Sequence, residues 1–142
     1  MAMVPFHTRC LEVAKQETRS LLVLKGADAP EDEYGFLELY CDDPTCDCRR
    51  VVLQVLSRNH AGKIMATINF GWEPGEFYAR KFPYMPEAAK EITDGSLDPI
   101  NEQSKYAKGL LKLFQKTVAT ADYKARLQRH YYLFRGEKQQ GG

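Results

Sequence analysis

The sequence predicts an α+β fold, an antiparallel meander of about four strands packed against helices from the C-terminal half. Three observations predict it. Apolar residues alternate through Lys63–Phe70, with Ile64, Ala66, Ile68 and Phe70 on one face. Turn-forming clusters such as Asn59-His60-Ala61-Gly62 separate short apolar runs, which favours antiparallel neighbours. Beyond Pro86 the periodicity becomes helical, and Ala107, Leu110, Leu111, Phe114 and Val118 share one side of a helix. A sheet with one apolar face needs a second layer, and those helices supply it.

Taken in order, Arg9 to Lys15 reads equally as a short helix or a first strand. Thr18 to Leu24 is dense in apolar residues and closed by Lys25-Gly26, so it reads as a strand. Asp28–Glu33, acidic and holding Pro30, reads as a loop. Tyr34–Tyr40 and Arg50–Leu56 are the next two strands, and Lys63–Phe70 the fourth. Gly71 to Tyr78 is rich in aromatics, with Pro74-Gly75 marking a turn; such residues more often cover a sheet end than line a pocket. Pro86-Glu87 opens a short helix through Ile92 that Asp94-Gly95 stops. A longer helix begins between Pro99 and Ser104. Asp122 is placed to cap a last helix, Tyr123 to Arg135, which Gly136 ends. Tyr123, Leu127, Tyr131 and Phe134 form its apolar stripe, with His130 at the edge.

The chain has 142 residues, 44% of them hydrophobic, enough for one core. The expected organisation is a single domain over residues 1–136 with a polar tail at 137–142. There is no apolar signal-peptide segment and no run of transmembrane length, so the expected setting is cytoplasmic, without membrane. The net charge of +1 implies no global preference for nucleic acid. Charge is nonetheless uneven. Asp28 to Asp47 holds eight acids and no base, and Lys105 to Arg135 eight bases and one acid. Lys105, Lys108, Lys112 and Lys116 form a stripe, a pattern that solvated helix faces share with nucleic-acid-binding ones.

The chemistry concentrates in Tyr40-Cys41-Asp42-Asp43-Pro44-Thr45-Cys46-Asp47-Cys48-Arg49-Arg50. Three of the four cysteines fall within eight residues, spaced C-x4-C-x-C. Thiols that close, in a chain with no export signal, point to metal ligation before disulfides. Zinc prefers four sulfur or nitrogen donors in a tetrahedron. Pro44 fixes φ and disfavours helix at Asp43, which makes a tight knuckle between two strands. The common iron–sulfur spacings differ from this one. Packing as small apolar side chains fits poorly with Asp42, Asp43 and Asp47 as neighbours. The expected metal is therefore Zn²⁺, held by Cys41, Cys46 and Cys48.

A closed site needs a fourth donor, from His7, Cys10, His60 or His130. His60 lies in a turn at the far end of its strand from Cys48 and should point away. His130 ranks first because its helix must pack on the sheet, and Cys10 second; a backbone-bonded core histidine is the plain alternative for His130.

Tyr34-Gly35-Phe36, the Tyr40–Arg50 knuckle, Gly71-Trp72-Glu73 and Arg129-His130-Tyr131 together resemble a group of small prokaryotic proteins. Their shared pattern is YGF…E-YC-x-DP-x-CDCRRV…GWE…RHY; here Leu39 intervenes between the first core acid and Tyr40. The resemblance spans roughly residues 17 to 135. It implies metal binding, raises His130 as a ligand, and assigns no reaction. Some of that group carry an additional SEC-C type cysteine/histidine knuckle. This sequence has none, so partner recruitment through such a knuckle is not implied.

The leading functional expectation is a cytosolic domain with a structural zinc, acting as an interaction or adaptor module with a protein partner. Nothing resembles a nucleotide loop, a Ser/His/Asp set or an HExxH pair. Two alternatives stay open: a metal-dependent hydrolase with an open zinc position and Asp42, Asp43 or Asp47 as base, and a nucleic-acid module using the lysine stripe.

Overall fold

The computed structural model describes residues 3–136, so the tail expected at 137–142 lies outside the described residues. Strands β1 (Met3–Pro5), β2 (Ser20–Val23), β3 (Asp32–Cys41), β4 (Arg50–Ser57), β5 (Lys63–Gly71) and β6 (Ser96–Leu97) form one antiparallel sheet. Its order is β1-β3-β4-β5-β6, with β2 also pairing with β3. The fold is α+β as expected, with β2 to β5 as the meander. The two added strands, of three and two residues, are too short to show any periodicity.

β1 and β2 divide the free edge of β3. Met3–Pro5 pairs with Leu39–Cys41, and Ser20–Val23 with Asp32–Gly35. A 3-10 turn (Phe6–Thr8) and helix α1 (Leu11–Glu17) carry the chain between these two positions. Arg9 to Lys15 thus resolves mostly as helix. β3 starts inside the expected acidic loop because Asp32 is well supplied with donors: the Ser57 hydroxyl, the Glu33 N–H at 2.7 Å and the Asn59 N–H at 3.1 Å. A buried carboxylate with its oxygens satisfied is compatible with a strand start.

The segment read as a turn at Pro74-Gly75 instead opens helix α2 (Gly75–Lys81), with Pro74 at its N-cap. Helix α3 (Pro86–Asp94) has proline in its first turn and ends at Gly95, whose φ is +90°. Helix α4 (Ala107–Leu113) starts later than expected because the preceding residues cover the open edge of β5. The Gln103 side chain donates to Thr67 O at 2.8 Å and accepts from Thr67 N at 2.9 Å, and Ser104 N donates to Met65 O. An edge so paired offers little to another chain. A π-helical turn (Phe114–Val118) follows, then helix α5 (Ala121–Arg135). Its cap is Thr120, whose hydroxyl accepts from Tyr123 N at 3.2 Å, rather than Asp122; Gly136, at φ +70°, closes it.

The core lies between α4–α5 and one sheet face. Tyr34, Phe36 and Tyr40 of β3, Val51, Leu53 and Val55 of β4, and Ile68 and Phe70 of β5 meet Leu110, Phe114, Val118, Tyr123, Leu127, Tyr131 and Phe134. Phe114 meets Phe70 edge-on with centroids 4.9 Å apart, and Tyr40 lies 5.6 Å from Phe134. The residues alternating onto the opposite face (Leu37, Val52, Gln54 and Leu56) are half-buried. Among the described residues no helix is long and apolar enough to cross a membrane.

Candidate functional site

The loop from Cys41 to Arg49 is held from three sides. Asp43 accepts from the Thr45 N–H and hydroxyl at 2.9 and 2.7 Å, which tightens the turn at Pro44. From α5, Arg135 donates to Cys46 O at 2.6 Å and Pro44 O at 3.1 Å, while the Tyr131 hydroxyl donates to Asp47 Oδ1 at 3.2 Å. The exit is Arg49, a non-glycine residue at φ +49°. Such a conformation persists when its surroundings over-determine it. Here Asp47 takes the Arg49 guanidinium with both oxygens, at 3.0 and 2.9 Å. Glu73 adds a third contact at 2.8 Å, and the Tyr78 hydroxyl donates to Arg49 O at 2.6 Å.

This frame brings Cys41, Cys46 and Cys48 together. Among the described residues none of the three is in a disulfide, and Cys46 is hydrogen-bonded to the other two. Burial, reinforced by the neighbouring Cys48 and Cys41, pushes the Cys46 thiol up to about 11. Among the described residues, no group of three or more His, Cys, Asp or Glu side chains is arranged to hold a metal ion. The thiols are adjacent without surrounding a common point. As a donor set, three sulfurs with no competing disulfide fit the chemistry of zinc.

All three thiols line a cavity of about 310 Å³ together with Met3, Arg50, Val51, Val52, Asn69 and Asp98. The sheet register explains why. Met3 pairs with Cys41, Leu39 with Val52, and Val52 with Asn69, so one step beyond the Leu39–Val52 pair come Cys41 and Arg50. These residues alternate away from the helical layer. Asp98 is already satisfied: Oδ1 accepts from Ile100 N and Asn101 N, and Oδ2 from the Asn69 amide at 3.1 Å. Arg50 is not. Its guanidinium lies over the Phe82 ring at 5.0 Å, and its buried Nε has no partner among the described residues. A buried donor left unpaired costs about 1–3 kcal/mol.

The structure places His130 elsewhere. It is completely buried, and both ring nitrogens are taken: Nδ1 lies 2.7 Å from Glu38 Oε1 and Nε2 2.9 Å from Glu17 Oε1. Phe6 stacks on the ring at 4.4 Å. Glu38 also accepts from the Tyr40 hydroxyl at 2.7 Å, and Glu17 pairs with Arg129 at 2.7 Å. Metal ligation needs a free nitrogen lone pair, and this ring offers none. The expected tie between α5 and the knuckle exists, but Tyr131 and Arg135 make it. The arginine hydrogen bond, followed by that of His130, holds the Glu17 carboxyl down at about 2.

Of the other candidates, Cys10 packs against the core from the start of α1, where burial pushes its thiol up; it does not line the thiol cavity. His60 sits in the β4–β5 turn, at the opposite end of β4 from Cys48. His7 lies in the 3-10 turn. Lys105, Lys108, Lys112 and Lys116 are exposed, as a stripe on a solvated face would be. Met3 and Asn69 are site residues that the sequence reading passed over. The two-residue strand alternation through Arg50 and Asn69 is the signal that would have found Asn69. No family model matches the chain, and neither a curated protein nor a solved structure is similar to it.

Proposed function

We propose that the protein is a small cytosolic domain whose cysteine knuckle holds a structural zinc ion and which acts as an interaction or adaptor module. The observation that carries this reading is the convergence of three thiols, Cys41, Cys46 and Cys48, in a loop clamped by two helices. Cys41, Cys46 and Cys48 would hold the ion, which supplies folding free energy when bound. The fourth donor is not His130. Water or a group from outside the chain completes the set. The resemblance to a prokaryotic metal-binding group supports the same reading.

The test is elemental analysis of protein purified without added metal, for the parent and Cys46→Ser. One zinc per chain in the parent, lost in the variant together with a lower melting temperature, is the expected result. A metal-free parent, or equal melting temperatures, would remove the structural-zinc reading.

A further inference from the structure

The thiol cavity is much larger than a metal ion needs, and it is bordered by Arg50, a cation that makes no ion pair among the described residues although Asp98 borders the same cavity. Among the described residues the ion pairs leave Arg50 out, whereas its neighbour Arg49 is fully engaged by Asp47 and Glu73. Arg50 also borders a second cavity of about 190 Å³, lined by Phe82, Met85, Ala88, Glu91, Ile92 and Ser96, and Asn69 borders both. The two cavities thus meet at an arginine and an amide, with apolar side chains on either side and one carboxylate in each wall, Asp98 and Glu91. Small-molecule sites occupy about 300–1,000 Å³, are mostly apolar and carry a few converging polar groups.

We infer that Arg50 anchors a small carboxylate with an apolar body, seated in the groove between the cysteine knuckle and α2–α3. A guanidinium presents parallel donors that match a carboxylate, and stacking on Phe82 restrains its plane. The Asn69 amide, held by Asp98, stands beside it. The apolar body has Val52 and Met3 on one side and Met85 and Ile92 on the other. A phosphate dianion is disfavoured more than a monoanionic carboxylate, because a single arginine would face two charges with Asp98 and Glu91 bordering the groove. The inference extends the metal reading without depending on it.

The experiment titrates benzoate, butyrate and inorganic phosphate into the full chain, followed by ¹⁵N NMR including arginine side-chain signals. Parent and Arg50→Gln are compared, with zinc content measured in both. Benzoate is expected to shift the Arg50 Nε–H and Asn69 amide signals, to bind more tightly than phosphate, and to lose about tenfold in affinity in the variant. Equal affinity in the variant, phosphate binding as tight as benzoate, or shifts mapping away from Arg50 and Asn69 would each overturn it. If the variant fails to fold, the mapping in the parent decides. Arg50-dependent binding to zinc-free protein would uphold this site while removing the metal reading; zinc without carboxylate binding would do the reverse.

Discussion

The Tyr131 hydroxyl donates to Asp47 Oδ1 at 3.2 Å, joining the last helix to the cysteine knuckle across 84 residues of sequence. The same carboxylate holds Arg49, so one aspartate couples the helix to the residue that carries the strained exit of the loop. Tyr131→Phe keeps the buried ring against Tyr40 and Trp72 and removes only the hydroxyl. The expected loss is about 0.5–1.5 kcal/mol in denaturant unfolding. An unchanged midpoint would mean that the contact contributes nothing to the clamp.

His130 should matter for folding and not for metal. Its two ring nitrogens lie within hydrogen-bond distance of Glu17 and Glu38 and bridge the two carboxylates. Removing it leaves Glu38, almost wholly buried, with the Tyr40 hydroxyl but without the imidazole. His130→Ala should therefore cost about 1–3 kcal/mol for the lost buried hydrogen bonds, and the zinc content that the proposed function requires should be unchanged per folded chain. Loss of zinc at retained stability would return the imidazole to the metal.

The pH dependence follows from Glu17. Its carboxyl is held at about 2 in the folded protein, against an ordinary 4.5, by Arg129 and His130. A depressed folded-state value means that the contribution is fully present above the unfolded value and is lost as pH falls through the folded one. Melting temperature should thus drop between pH 4.5 and 2, and less steeply in Glu17→Gln than in the parent. Parallel profiles would show that Glu17 does not drive the acid transition.

What the sequence made legible was whatever repeats. β3, β4 and β5 alternate over eight to ten residues, and their bounds fell within two residues of expectation. α5 showed its stripe clearly. Features set by single long-range contacts were hidden: β6 is two residues paired at Ile68 and Asn69, and α2 begins at a Pro-Gly that reads locally as a turn. The site divides the same way. Spacing alone brought Cys41, Cys46 and Cys48 together. His130 went astray because Tyr131, the next residue, points a third of a helical turn away, and that rotation separates the knuckle from the Glu17–Glu38 pair.

Gly71 is where packing of α2 and conformation of the knuckle depend on one missing methyl group. A Cβ there would overlap the Tyr78 ring and hydroxyl and lie 2.6 Å from Ile92 Cγ2. Tyr78 is fully buried, and its hydroxyl donates to Arg49 O while accepting from Glu73 N. Displacing it would free both residues that hold the exit of the loop. Gly71→Ala should destabilise by about 1–3 kcal/mol, the usual range for overpacking, and would weaken retention of the zinc ion that the proposed function requires. Tyr78→Phe removes the atom most in the way. The double variant Gly71→Ala/Tyr78→Phe should therefore be more stable than the two single losses predict, with a coupling of about 0.5–3 kcal/mol. Strict additivity would show that the Tyr78 hydroxyl is not what Gly71 makes room for, leaving the Tyr78 ring and Ile92 as the groups in the way.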